Sequence, residues 1–172
     1  MNVAMVNYYF GSKEMLYSEV ARRHFSFATA DDIAKMAEGV TDEQSWREAV
    51  RRFIEKFAAY MAVTIKPGVY TARIFRWELT QPSSVSGELQ TMYRHVVYDV
   101  LKKLFVMALG DDERTVKMWC ADVWSRLAIL ALVDDSWLRH FRPAGQSRAD
   151  WVGDVSDDIC ESIFASMRYG GK

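Results

Sequence analysis

The sequence predicts an all-α protein, and three observations support that fold class. Apolar residues recur at helical spacing along most of the 172 residues, and no segment of strand length alternates apolar and polar residues between turn signals. Only three prolines occur, all in segments that also read as loops. A chain of this length is expected to bury about 70% of its unfolded surface in one compact unit.

The first two long helices begin at serine residues. Gly11 makes a tight break, and Ser12 is a good N-cap for a helix that runs to about residue 35. A polar break over residues 38–44 follows, after which Ser45 is predicted to cap the second helix. That helix carries apolar side chains at helical spacing and ends at the Pro67-Gly68 pair: Trp46, Val50, Phe53, Phe57, Tyr60 and Met61.

Four further helices are predicted in the remainder of the chain. A short one spans residues 69–81, with Ile74 and Trp77 on one side. A long one begins at Ser86, carries the most regular apolar stripe and closes at Gly110. Asp111 or Asp112 caps the next, which runs to about residue 131, and Ser147 begins the last, which runs to about residue 168.

The first sixteen residues resemble the DNA-recognition end of a known family. They contain an aromatic run, a small-residue turn and a Lys-Glu-x-Leu segment, which read Tyr8-Tyr9-Phe10, Gly11-Ser12 and Lys13-Glu14-Met15-Leu16. At these positions the chain resembles the TetR family of bacterial transcriptional regulators. The resemblance implies the remnant of a helix-turn-helix head followed by a TetR-like C-terminal helical bundle. We assign residues 1–38 to a partial DNA-binding head and residues 39–172 to a ligand-binding and dimerisation domain.

The resemblance also predicts that the native protein is longer. In the family two helices and a turn precede the recognition helix, which falls here at residues 2–9. A helix this short is marginal by itself, because helices under about 12–15 residues need tertiary support in water. We therefore expect either a fragment or a start placed too far downstream. A GTG valine codon read as an initiation codon would produce Met1.

The DNA contacts implied by the resemblance are carried over position by position. Residues at the exposed side of the recognition helix would face base edges, namely Asn2, Val3 and Asn7. Asparagine suits adenine because its amide both donates and accepts at one base edge. The DNA backbone would be held by Tyr8 or Tyr9 and by Lys13.

Three considerations bear on these DNA contacts. Lys13 is otherwise unfavourable beside a helix N-terminus, which favours a phosphate contact there. The alternative for Tyr9 and Phe10 is core packing of the head. A formal net charge of −1 means that the chain as a whole lacks a basic footprint.

The sequence carries no enzyme motif. The three histidines fall on separate predicted segments without a second ligand at metal-binding spacing, and no nucleophile elbow, phosphate loop or dinucleotide fingerprint is present. We therefore predict neither catalysis, nor a metal, nor a cofactor.

The aromatic content predicts a cavity in the middle helices. Six Trp, eight Tyr and nine Phe are many for a chain with 26% charged residues. A cavity for a small apolar or aromatic effector would combine aromatic surface, flexible thioethers and a few polar tips, and plain core packing is the alternative for each residue. The candidates are Phe57, Tyr60, Met61, Tyr70, Arg73, Trp77, Met92, Tyr93, Val96 and Trp124.

The last two long helices are the predicted homodimer interface. Residues 126–133 are apolar on more than one face, so more than one side of that helix must be buried, either against a second subunit or as a central core helix. The predicted interface residues are Trp124, Leu127, Ala128, Ala131, Ile159, Ile163, Phe164 and Met167.

The compartment is predicted to be the cytoplasm. No signal peptide is apparent, and the longest apolar run is too short to span a bilayer. Cys120 and Cys160 are predicted to be buried thiols, with a redox sensor as the alternative.

The predicted function is that of a TetR-like ligand-responsive repressor, which binds operator DNA as a dimer and is released by a small apolar or aromatic effector. The alternative is a headless dimeric module that binds a ligand or sequesters a full-length partner without binding DNA itself.

Overall fold

A computed structural model describes residues 8–25, 35–63, 77, 78, 80, 87, 90, 91, 94–132 and 135–170. These residues form helices and turns and include no strand, which confirms the predicted all-α class. The α-helices are α1 (Lys13–Phe25), α2 (Glu43–Val63), α3 (Asp99–Leu109), α4 (Glu113–Leu132), α5 (Asp135–Leu138) and α6 (Arg148–Ser166). A 3-10 turn spans Lys35–Ala37 and a π-helical turn spans Arg94–Tyr98.

Helix α2 is the centre of the core. It packs against α6, α4 and α3, and its buried face follows the predicted helical spacing: Trp46, Ala49, Val50, Phe53, Ile54, Phe57, Ala58 and Met61. The indole N–H of Trp46 donates to the Leu104 carbonyl at 2.8 Å, so this large side chain is buried with its polar atom satisfied.

The start of α2 corrects one sequence prediction. The helix begins at Glu43, and its cap is Asp42 rather than Ser45. The Asp42 carboxylate accepts from the Ser45 backbone N–H at 2.7 Å, while the Ser45 hydroxyl accepts from the Asp42 backbone N–H at 3.1 Å. This reciprocal pair satisfies two backbone donors at once, which is why the helix begins two residues before the predicted cap.

Three other helix boundaries agree with the sequence prediction, whereas α6 ends two residues before its predicted end. Asp112 accepts from the Thr115 backbone N–H at 3.2 Å at the start of α4, and Ser147 accepts from the Asp150 N–H at 3.1 Å at the start of α6. Gly110, at φ 69°, ends α3, because that backbone conformation is strained for a residue with a Cβ atom. The π-helical turn before α3 was not predicted.

The C-terminal segment after α6 is tied to the core. Met167 is buried, and the Gly170 backbone N–H donates to the Met107 carbonyl at 3.1 Å. The Tyr169 backbone N–H donates to the Glu43 carboxylate. The segment therefore joins the start of α2 to the end of α3.

Both cysteines are free and buried, as predicted. Burial raises the pKa of each thiol to about 11, so neither is a reactive thiolate near neutral pH. Among the described residues, no helix is both long enough and apolar enough to cross a bilayer.

Candidate functional site: the N-terminal helix and the helical body

The N-terminal end displays aromatic side chains on its surface. Residues 8–10 are helical, and the rings of Tyr8 and Tyr9 meet edge to face with their centroids 5.1 Å apart. Tyr8 is 83% exposed and Phe10 is 39% exposed, so in this chain Phe10 is not a core residue, in contrast to the core-packing alternative. Asn2, Val3 and Asn7 lie outside the described residues.

A turn at Gly11 separates this aromatic segment from α1. Gly11 has φ +79°, a conformation that favours glycine. The Ser12 hydroxyl then accepts from the Met15 backbone N–H at 3.1 Å, which confirms Ser12 as the cap of α1. Lys13 is exposed on the first turn of α1, where the partial positive charge of the helix N-terminus disfavours a cation unless an anion lies nearby.

Helix α1 adds no side chain to the core among the residues whose burial is described. Residues 13–20 are all exposed or half-buried, and the hydrophobic core begins at Ala37. The helix pairs that pack extensively within the described elements do not include α1. The described core, which spans residues 37–167, therefore includes no α1 side chain from residues 13–20.

A short hydrogen bond nevertheless joins α1 to a later part of the chain. The Tyr17 hydroxyl donates to Oε1 of Glu78 at 2.6 Å, the range of a charge-assisted O–H to carboxylate bond. Burial, and next the hydrogen bond to Glu78, raise the pKa of Tyr17 well above its ordinary value of 10.0. The hydroxyl therefore remains a protonated donor at neutral pH.

At residues 77 and 78 the polar side chain is buried and the apolar one is exposed. Trp77, a predicted effector contact, is 53% exposed, whereas Glu78 is only 6% exposed. Hydrophobicity alone would assign the buried position to the tryptophan. A buried carboxylate with a tyrosine partner 61 residues away has no signal in local periodicity.

Apart from the exposed Trp77, the predicted effector residues divide into four groups. Phe57 and Met61 are fully buried within the core, which fits the core-packing alternative, whereas Tyr60 and Trp124 are half-buried. Val96 lies in the π-helical turn, but its side chain is not among those that the structure describes. The remaining candidates lie outside the described residues, namely Tyr70, Arg73, Met92 and Tyr93.

The described part of this region contains an aromatic ladder on α2. Phe53 stacks on Phe57 with ring centroids 5.9 Å apart, and Phe57 stacks on Tyr60 at 6.4 Å. Burial raises the pKa of Tyr60 to about 12, so its hydroxyl stays neutral. The ladder runs from the fully buried Phe53 and Phe57 to Tyr60, which is half-buried.

Most of the predicted dimer residues are already buried by their own chain, which corrects their assignment to an intersubunit surface. Five of them are almost inaccessible in the single protomer, namely Leu127, Ala128, Ile159, Ile163 and Met167. Trp124 and Phe164 are half-buried, and the side chain of Ala131 is outside the description. Four of the five belong to the core of the protomer, which also contains the buried face of α2. Their apolar pattern therefore reflects packing within one chain.

A different face of α4 is exposed. Met118 is 64% exposed and Ile129 is 49% exposed, and the small exposed residues Ala121 and Ser125 lie between them. These four positions are spaced three or four residues apart, so they share one side of the helix. We call this set the α4 outer face.

The exposed side of α6 is acidic. Asp157 pairs with Arg51 at 2.6 Å, and Asp158 lies 3.9 Å from Arg126. The Phe164 ring is partly covered by Arg47, whose guanidinium lies 4.7 Å from the ring centroid, and by the Trp46 ring at 5.8 Å. The exposed acids of this helix are Asp150, Asp154, Asp157, Asp158 and Glu161.

In comparisons with protein-family models, with curated proteins and with solved structures, nothing matches this chain.

Proposed function

We propose that this chain is a TetR-like, ligand-responsive transcriptional repressor that binds operator DNA as a dimer. The observation that carries the proposal is the order of features at residues 8–13. An exposed aromatic helical segment is followed by a positive-φ glycine turn, a serine cap and a lysine on the first turn of α1. This order matches the resemblance to the TetR family, in which the recognition helix ends in an aromatic cluster and is followed by a small-residue turn and a Lys-Glu-x-Leu segment.

The distribution of charge supports DNA contact at this end rather than on the body. The exposed acids of α6 would repel phosphate groups, whereas Lys13 sits beside the exposed aromatic residues. Tyr8, Tyr9 and Lys13 would hold the DNA backbone, and Asn2, Val3 and Asn7 would read base edges.

The DNA-binding proposal is tested with a random-sequence duplex library and two proteins. One is this chain, and the other is a form extended upstream by its in-frame codons. We expect the extended form to select a preferred sequence and this chain to select none, because a short recognition helix needs tertiary support. Equal sequence-specific binding by both proteins would show that no further segment is needed. Selection by neither would refute DNA binding.

Lys13→Ala tests the phosphate contact in the DNA-binding form. The variant should weaken binding to all sequences alike and should lower the slope of log affinity against log salt by about one unit. Lys103→Ala, which removes an exposed lysine from α3, is the control and should leave the slope unchanged. A changed sequence preference with an unchanged slope would show that Lys13 reads bases.

We propose that the dimer forms through the α4 outer face. Two copies of α4 crossing antiparallel would place the small residues Ala121 and Ser125 at the centre. Met118 of each copy would then lie toward Ile129 of the other, which gives the self-complementary contact of a two-fold dimer.

The interface is tested by light scattering on Ile129→Glu, with Ala59→Glu as the control for one added charge at an exposed position of α2. We expect Ile129→Glu to be a folded monomer and the control to remain dimeric. A monomeric parent, or a dimeric Ile129→Glu, would refute the interface. Ala128→Glu is unsuitable because Ala128 is 1% exposed, so the new charge would destabilise the protomer itself.

The proposed effector is a small apolar or aromatic molecule bound near the aromatic ladder and Trp124. Binding should quench tryptophan fluorescence, and Trp124→Phe or Trp77→Phe should reduce the quenching. Full affinity and full quenching in both variants would exclude this location.

The headless alternative is favoured by a specific observation. The described core begins at Ala37 and includes no side chain from residues 8–20, and the net charge is −1. A protein of this kind would bind an effector or a second copy while selecting no DNA, even in its upstream-extended form.

A further inference from the structure

Helix α1 is attached to the molecule in a way that differs from every helix of the core. Its described side chains at residues 13–20 include none that is buried. Among these residues the half-buried side chains of Leu16, Tyr17 and Val20 bury less apolar area than the fully buried faces of α2 and α6 do. A specific polar contact therefore makes a larger relative contribution to holding this part of α1.

The Tyr17–Glu78 hydrogen bond has the properties of such a contact. Its donor and acceptor oxygens are 2.6 Å apart, and its acceptor belongs to a residue that is only 6% exposed. Water therefore competes weakly for Glu78, and a hydrogen bond in such surroundings is stronger than one on the surface. Removing the tyrosine hydroxyl would withdraw a donor from a buried carboxylate, which is costly.

We propose that the Tyr17 hydroxyl and the Glu78 carboxylate form a latch that fixes the position of α1 relative to the buried Glu78. Phenylalanine in place of Tyr17 keeps the ring and loses the hydroxyl, so the latch depends on one oxygen atom. Glutamine in place of Glu78 keeps an acceptor oxygen and loses the charge, so it should retain part of the latch.

The latch also determines where the beginning of α1 points. Lys13 lies one helical turn before Tyr17, so the two residues share a side of α1. Because one turn of a continuous helix is rigid, a displacement of residues 77–78 would be passed through Tyr17 to Lys13 and the Gly11 turn. This consequence rests on the proposed function, whereas the latch itself rests on the contact.

Amide hydrogen exchange measured by mass spectrometry tests the latch on the chain as it stands. Tyr17→Phe and Glu78→Ala should each speed exchange in α1 by about tenfold or more, the effect expected for loss of a charge-assisted hydrogen bond. Glu78→Gln should have a smaller effect. The double variant should exchange no faster than the faster single variant, and α2 and α6 should keep their protection.

Tyr98→Phe is the matched control, because Tyr98 is a half-buried tyrosine that packs against the core. It should leave exchange in α1 unchanged. Three results would overturn the latch: α1 exchange in Tyr17→Phe equal to that in the control, additive effects in the double variant, or an equal loss of protection in α2 and α6.

A second measurement separates the latch from the proposed function. In the DNA-selecting, upstream-extended form, Tyr17→Phe should lower DNA affinity while the preferred sequence stays the same. If α1 exchange changes as expected but affinity does not, the latch stands and its link to Lys13 fails. If no form binds DNA while α1 exchange still changes, the proposed function fails and the latch stands.

Discussion

Helices α1 and α6 begin with the same chemistry and are held in the molecule by different means. Each has a serine cap whose hydroxyl accepts a backbone N–H three residues later at 3.1 Å. Helix α6 buries Val152, Ile159, Cys160 and Ile163 against the core, whereas residues 13–20 of α1 bury none. A cap therefore determines where a helix starts, and the apolar face determines how firmly it is held.

The difference also separates two kinds of attachment. Helix α6 is held by distributed contacts, so no single polar group positions it. Helix α1 is joined to residue 78 by a directional hydrogen bond, so one atom has a large effect on its position. A helix that is held by one hydrogen bond can be released more easily than a helix that is held by a buried apolar face, so attachment by one hydrogen bond suits an element that moves during function.

The largest expected contrast is between two phenylalanines. Phe57→Ala should lower the free energy of unfolding by about 3–5 kcal/mol, because it leaves a cavity in a close-packed core. Phe10→Ala should change it by less than about 0.5 kcal/mol, since this ring is partly exposed and lies outside the core. Urea unfolding followed by circular dichroism measures both. Similar losses in the two variants would mean that the N-terminal segment belongs to the same cooperative unit as the body.

Replacing each of the two serine caps with alanine should give a smaller difference in stability, and the two substitutions are chemically identical. Ser147→Ala should lower the free energy of global unfolding by about 1 kcal/mol. Ser12→Ala should leave the urea midpoint unchanged and speed exchange only within α1, because α1 can open while the core remains folded. A shift of the global midpoint by Ser12→Ala would contradict the separation of the two regions.

Low pH should destabilise the folded core through protonation of Glu43. The Tyr169 N–H, and after it Arg47, hold the pKa of Glu43 below its ordinary value of 4.5. A lowered folded pKa means that the stabilisation is fully present above about pH 4.5 and is lost as the pH falls through the folded value. Glu43→Gln should therefore be less stable than the parent at pH 7, and the difference should shrink by pH 3.

The control for this experiment is Glu55→Gln, which changes the net charge identically at an exposed position of the same helix. A difference between the parent and Glu43→Gln that stays constant from pH 7 to pH 3 would exclude the linkage. Exchange in α1 should be unaffected by Glu43→Gln, because Glu43 joins α2 to the C-terminal segment.

The smallest effects are expected in thiol reactivity. Cys120 and Cys160 are buried, with pKa values raised to about 11, so a thiol reagent at pH 8 should modify them only through opening of the fold. Ser147→Ala should speed modification of Cys160, which lies on α6, and Ser12→Ala should not. Rapid modification of either cysteine in the folded parent would show that these thiols are accessible.

The sequence determined the local features of this protein. Helical spacing gave the all-α class and the buried face of α2. The chemistry of Ser12, of Ser147 and of the Asp111-Asp112 pair predicted three helix starts, because a cap depends on only a few adjacent residues. The cap of α2 was misplaced since Asp42 and Ser45 both suit the role, and only their reciprocal hydrogen bonds decide which of them begins the helix.

The tertiary structure decided which apolar and polar groups meet. Apolarity at Leu127 and Ile163 predicted burial without naming the partner, and intrachain packing accounts for both residues. The α4 outer face was missed because Met118, Ala121, Ser125 and Ile129 are too mixed in polarity to form an apolar stripe. The contact between Tyr17 and Glu78 was missed because pairing across 61 residues leaves no periodic signal, and it forms only once the fold has brought the two side chains together.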